Sequence, residues 1–110
     1  MIILALFAHP DDESIAAGGT LLCLGEKGEK VVLVTATEGE GGEIMPPGQA
    51  AFEKLGRVGA VRRAELAEAL KILRIKESKI LDFKDGHITN FQVWDSLTQA
   101  FIKEIELYKP

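Results

Sequence analysis

Three features of the sequence predict an α/β fold, a Rossmann-like three-layer sandwich built on a parallel sheet. Met1–Phe7 and Val31–Ala36 are almost continuously apolar, as strands are when layers cover both faces of a parallel sheet. Segments with helical periodicity separate and follow them, which is the pattern of repeated βαβ units. The first strand also runs directly into Ala8-His9-Pro10-Asp11-Asp12-Glu13. That is an imidazole and three carboxylates at the sheet edge where such folds collect ligands.

The elements follow in the order strand, helix, strand, loop, helix, strand, helix. After the first strand, Gly18 to Lys27 reads as a helix, with apolar surface from Leu21, Leu22 and Leu24 and Gly28 as its C-terminal stop. The Gly18-Gly19 pair suggests close packing on the sheet; with neither G-x-G-x-x-G nor a P-loop present, a nucleotide site has little support. The β-branched run from Val31 makes the second strand. Thr37 to about Leu55 reads as a long loop rich in Gly, Glu and Pro, centred on Pro46-Pro47-Gly48. Loops of that length in compact domains are either functional or mobile.

A helix over about Arg57–Leu73 follows from one apolar stripe of Leu66, Ala69, Leu70 and Leu73. On it Arg62 and Glu65, three apart, are within reach of each other, and Arg63 is expected in solvent. A short strand near Lys79–Phe83 ends in an Asp85-Gly86 turn. Thr89-x-x-Gln92 looks like a capping box for the last helix, whose Trp94, Leu97, Phe101, Ile105 and Tyr108 fall on one face. Those aromatic residues are expected in the core.

Composition narrows the function classes. The 110 residues suit one small domain, and 46% hydrophobic with 27% charged residues describe an ordinary globular chain. Seventeen acidic against 13 basic residues give a net charge of −4, and no basic run is present to follow a phosphate backbone, so nucleic acid is not the expected partner. Cys23 is the single cysteine, which fits a reducing compartment, and within Leu21-Leu22-Cys23-Leu24 it is expected as a small buried residue. The longest apolar run, Met1–Ala8, falls far short of the ~20 residues that cross a bilayer. It also lacks a basic leader. No membrane partner and a cytoplasmic location are the expectation.

The Ala8–Glu13 cluster carries the chemistry. On a continuous strand His9 and Asp12 would point apart, but Pro10 fixes its own φ and holds His9 extended before a bend. If a helix starts near Asp11 or Glu13, its positive end favours carboxylates there. An imidazole nitrogen and the Asp12 carboxylate facing one point suit a zinc-like cation. Asp11 must then point elsewhere and is free to act as a base on water. The alternative is capping and turn chemistry alone, since aspartate is favoured at helix starts.

The segment resembles the signature of the PIG-L/LmbE family of zinc-dependent N-acetylglucosaminyl deacetylases, a strand followed by A-H-P-D-D-E, letter for letter. Thr37-Glu38-Gly39-Glu40-Gly41-Gly42 looks like the family's T-x-G-E-x-G loop, Arg62-Arg63-Ala64-Glu65 its R-x-x-E helix start, and Leu81–Gly86 its strand ending in Asp-Gly. The resemblance implies zinc held by His9 and Asp12, and Asp11 as general base. It implies substrate contacts from Arg62, Glu40 and Asp85, and an N-acetylated sugar conjugate as the small-molecule partner. The family's third zinc ligand is a histidine in a later motif, and the sequence reaches Pro110 before it; His87 does not stand at that position. Residues 1–110 are therefore expected to be the N-terminal part of a single deacetylase domain. An unpaired sheet edge would invite homo-oligomerisation. Two other readings stay open: a Mg²⁺- or Mn²⁺-dependent phosphoesterase, which would need more oxygen donors than His9 suggests, and a non-catalytic Rossmann-like binding module.

Overall fold

The computed structural model describes all residues, 1–110. Strands β1 (Ile2–Phe7), β2 (Lys30–Thr37) and β3 (Glu77–Phe83) alternate with helices α1 (Asp12–Glu26), α2 (Gln49–Leu55), α3 (Val58–Ile72) and α4 (Phe91–Tyr108). The sheet order is β1-β2-β3 and both pairings are parallel. Every residue of β2 from Val31 to Thr37 is buried, because β2 alone has a neighbour on each side and a helical layer on each face.

Strand alternation sorts the two faces. Val31 and Leu33, beside Ile3 and Ala5 of β1, pack with Leu21 of α1 and Leu66 and Leu73 at α3 in one cluster. Full burial of Leu33 alone stabilises the fold by roughly 1.5–3 kcal/mol relative to exposure. The other face carries Val34 next to Lys79, and there α4 closes over the sheet: Lys79 Nζ donates to both oxygens of the buried Glu104, at 2.8 and 2.7 Å. Two helices on one side and one on the other make the three layers.

Several expectations change. Helix α1 begins at Asp12, not Gly18, because Asp12 and Glu13 in its first turn complement the helix's positive end. The Gly18-Gly19 pair is not needed for close packing: a Cβ on Gly19 would meet nothing within 4 Å, and one on Gly18 only the Glu13 carbonyl at 3.9 Å. Cys23 is exposed, since it lies two positions past the buried Leu21 and so on the opposite side of α1. The second half of the long loop is helical, a 3-10 turn at Pro46–Gly48 leading into α2. Pro46 suits a first helical position and Gln49-Ala50-Ala51 are helix formers, a local preference masked by the surrounding glycines and prolines. On α4 the cap is Asn90 rather than Thr89, its side chain accepting from Gln92 N at 3.1 Å. Trp94 and Ile105 of that helix are exposed, whereas Glu104 is buried.

Candidate active site

The C-terminal ends of all three strands meet at one place. Thr37, at the end of β2, donates from both its amide (3.1 Å) and its hydroxyl (3.0 Å) to the Ala8 carbonyl, and its Oγ1 accepts from Gly39 N. The segment after β1 is thereby tied to the loop after β2. Pro10 is fully buried at the corner between β1 and α1.

Beyond that corner the chain folds back on itself. Asp12 Oδ2 accepts from the His9 amide at 3.0 Å and lies 3.4 Å from His9 Nδ1. Two donors on a tetrahedral zinc, each at its usual bond length, lie about 3.3 Å apart, so this pair is already spaced as zinc ligands. The far nitrogen, Nε2, is 2.8 Å from Asp85 Oδ1. Ligating histidines are commonly fixed in this way by a carboxylate on the other ring nitrogen. The Asp85 side chain is only 11% exposed and also accepts from Gly41 N (2.9 Å) and Gly86 N (2.8 Å).

Asp11 points away from Asp12, as adjacency requires. Its backbone is strained, with φ 86° and ψ −30° at the position just before α1, and its side chain makes no capping bond there. The carboxylate is 57% exposed and meets Arg62 Nη2 at 3.1 Å. Beside it lies a cavity of about 480 Å³, bounded by Asp11, Arg62 and Glu65 and by Glu43, Ile44 and Met45 of the loop after β2.

The remaining candidates take specific places. Arg62 reaches 51 residues back to Asp11 rather than three along to Glu65, and also donates to Pro10 O and, at 2.9 Å, to Gly39 O. Glu40 accepts from the Asp85 amide at 2.8 Å, joining the loops after β2 and β3. His87 is exposed in the turn after β3, its amide donating to Lys84 O. No group of three or more His, Cys, Asp or Glu side chains is arranged to hold a metal; the converging donors are His9 and Asp12. Glu13 is buried, with one oxygen accepting from Ser14 Oγ at 2.8 Å and the other without a partner.

The sequence reading missed two contributors. Glu38 pairs with Arg63 at 2.5 Å and with Arg57 at 3.5 Å, so Arg63 is not simply solvated. Thr37, read as the first residue of the loop, instead closes β2, and its amide and hydroxyl brace the segment after β1 through Ala8 O.

A family model described as GlcNAc-PI de-N-acetylase, PIG-L, matches residues 4–110. The chain belongs to the PIG-L family. Among relatives of this PIG-L chain, the 1D-myo-inositol 2-acetamido-2-deoxy-alpha-D-glucopyranoside deacetylase of Kineococcus radiotolerans is 43% identical over 84 residues, 76% of this chain and 23% of that protein. The corresponding deacetylase 1 of Saccharopolyspora erythraea is 35% identical over 100 residues, 89% of this chain and 33% of that protein. Among solved structures, the N,N'-diacetylchitobiose deacetylase of Pyrococcus horikoshii superposes with a TM-score of 0.70 at 30% identity, covering 94% of this chain and 37% of that one. The A40926 pseudoaglycone deacetylase Dbv21 shares the fold, with a TM-score of 0.75 at 23% identity. The chain thus spans between about a quarter and a third of the length of the two curated relatives.

Proposed function

We propose that the protein carrying this chain is a zinc-dependent hydrolase that removes the N-acetyl group from an N-acetylglucosaminyl-type, sugar-linked small molecule. The observation that carries this reading is the 3.4 Å approach of His9 Nδ1 to Asp12 Oδ2, with Asp11 turned away from that pair into a cavity of sugar size. The names of three relatives support it: two are 1D-myo-inositol 2-acetamido-2-deoxy-alpha-D-glucopyranoside deacetylases and one is an N,N'-diacetylchitobiose deacetylase. A hard-cation phosphoesterase site is less well supported, because an imidazole occupies one of its two converging positions.

In this reading His9 and Asp12 hold the zinc, and Asp85 fixes the imidazole plane through Nε2. Zinc, when bound, polarises the acetyl carbonyl and acidifies a nearby water. Asp11 takes the proton from the attacking water, and the departing amine must itself gain a proton to leave. A catalytic zinc usually has three protein ligands, of which these residues supply two. We accordingly read residues 1–110 as the N-terminal part of a single deacetylase domain. No helix is long and apolar enough to cross a membrane, and a cytoplasmic location goes with the proposal.

The test uses the complete protein. Purified with zinc, it should release acetate and a free amine from an N-acetylglucosaminyl-inositol; chelation should abolish the release and zinc restore it. Asp11→Asn should lower kcat by about 10²–10⁴-fold. Zinc-loaded protein that releases no acetate from a panel of N-acetylglucosaminides would defeat the reading. Magnesium-dependent phosphate release would put the phosphoesterase in its place.

A further inference from the structure

We propose that a second cavity, at the opposite edge of the sheet between the C-terminal ends of α1 and α3, binds an organic phosphate through Arg74 and Lys76. It lies where β2 and β3 begin, away from the candidate active site, and the inference does not depend on the hydrolase reading. Its volume is about 1040 Å³, and ligand cavities commonly run to ~1,000 Å³, so a molecule of nucleotide size fits. Val31, Leu70 and Ile75 give it apolar surface, while four cations stand around it against two carboxylates, in a chain of net charge −4. Both carboxylates are engaged: Glu77 lies 2.9 Å from Lys30 Nζ and accepts from Tyr108 Oη at 2.6 Å, and Glu29 lies 3.3 Å from the Met1 amine. Lys71 is held by Glu68 at 2.7 Å in an exposed pair, of a kind that contributes little. Arg74 and Lys76 keep their donors free: Glu26 is 3.9 Å from Arg74, beyond hydrogen-bonding distance, and Lys76 enters no ion pair.

The backbone around Arg74 is strained in a way that helix capping does not explain. Arg74 holds φ 60°, a left-handed conformation that glycine adopts freely and a residue with a Cβ does not. Strain of this kind gathers at binding and catalytic positions. A Cβ on Gly25 would stand 2.7 Å from Leu73 O and 3.1 Å from Arg74 Cβ, so glycine there lets α1 close on the turn that presents the guanidinium. Cations at helix C-termini often serve the last carbonyls. Here backbone amides take that role, Gly28 and Glu29 donating to Gly25 O and Leu24 O, and Arg74 and Ile75 to Lys71 O and Leu70 O. Each helix end carries about half a negative charge, so two uncommitted cations leave the cavity net positive. A phosphate monoester carries nearly two negative charges, which matches that pair better than a single carboxylate does. The guanidinium fork suits two phosphate oxygens, the ammonium adds a point charge, and the apolar wall receives the organic body.

Isothermal titration calorimetry on the complete protein tests this with adenosine monophosphate, adenosine and inorganic phosphate as probes. The monophosphate should bind saturably, adenosine should give no saturable heat, and inorganic phosphate should bind more weakly than the monophosphate because it lacks the body that meets the apolar wall. Hydrogen bonds to charged groups are the strong ones, so Arg74→Gly should weaken monophosphate binding by about 10–100-fold, and Lys76→Ala by about tenfold. Since glycine takes φ 60° without strain, ligand-free Arg74→Gly should melt at or above the wild-type temperature. Absence of saturable monophosphate binding would overturn the proposal, as would equal affinity in wild type and Arg74→Gly. Inorganic phosphate bound as tightly as the monophosphate would overturn the organic ligand and leave a site for the free anion. A lowered midpoint of Arg74→Gly, with monophosphate affinity retained, would make the arginine a stabiliser of the helix end and would overturn the proposal too.

Discussion

Replacing Asp85 by asparagine tests whether its carboxylate sets the metal affinity of His9. Oδ1 faces His9 Nε2 at 2.8 Å and accepts from Gly86 N at 2.8 Å, while Oδ2 accepts from Gly41 N at 2.9 Å. Asparagine keeps the size but has one acceptor oxygen, and its amide group must face one of these donors. With the oxygen kept toward His9, the Gly41 amide loses its partner and the imidazole exchanges a charged acceptor for a neutral one. Charge-assisted hydrogen bonds are about twice as strong as neutral ones. Carboxylates behind ligating histidines are typically worth 10–100-fold in metal affinity. Since one neutral bond to His9 survives, Asp85→Asn should weaken zinc binding by about tenfold, or ~1.4 kcal/mol. Chelator competition on the complete protein reads the affinity, and circular dichroism confirms that the fold is kept. A variant that stays folded and binds zinc as tightly as wild type would refute the argument, leaving Asp85 as a loop clamp only.

Two further predictions concern the opposite face of the sheet. Lys79→Met strands the Glu104 carboxylate, whose side chain is 10% exposed. Removing one partner of a fully buried pair costs about 3–5 kcal/mol, and the 39% exposure of Lys79 scales this to about 2 kcal/mol. The thermal midpoint should drop by several degrees and largely recover in Lys79→Met/Glu104→Met; an unchanged midpoint in the single variant contradicts the account. Tyr108 Oη donates to Glu77 Oε1 at 2.6 Å, and this bond, helped by desolvation, pushes the phenol up to about 12 while holding Glu77 below its ordinary range. Because the neutral phenol is favoured in the folded state, its stabilisation is complete below the unfolded pKa of about 10 and is lost as pH rises towards 12. Phenolate absorbance of this sole tyrosine should titrate near 12, and Tyr108→Phe should flatten that part of the stability profile.

The layered architecture was readable because its signals are local and redundant. The β2 run of Val31–Ala36 has only one use in a globular chain, and the Leu66–Leu73 stripe fixes the buried side of α3. The corner at Pro10 was readable for a related reason: proline restricts both itself and His9, so the return of Asp12 follows from backbone sterics. What stayed hidden depends on distant pairing. Nothing within Arg62-Arg63-Ala64-Glu65 says which arginine turns inward, and the outcome is Arg62 to Asp11 and Arg63 to Glu38. The burial of Glu104 was illegible as well, because it depends on Lys79 lying under α4.

Asp85 shows how such pairing aims a side chain. The pairing of β2 with β3 runs evenly to Thr35 opposite Ile80, and then Thr37 stands opposite Phe83, so β3 carries one more residue than β2 over that step. A one-residue irregularity inverts which face the following side chains address, and bulges beside active sites commonly re-aim a residue in this way. Just past the shift, Asp85 reaches across to His9 after β1 and accepts from Gly41 after β2, while its own amide donates to Glu40. One carboxylate thus links the tips of three strands that lie far apart in sequence. The histidine is therefore oriented only when both parallel pairings are in register, so formation of the candidate site is coupled to completion of the sheet.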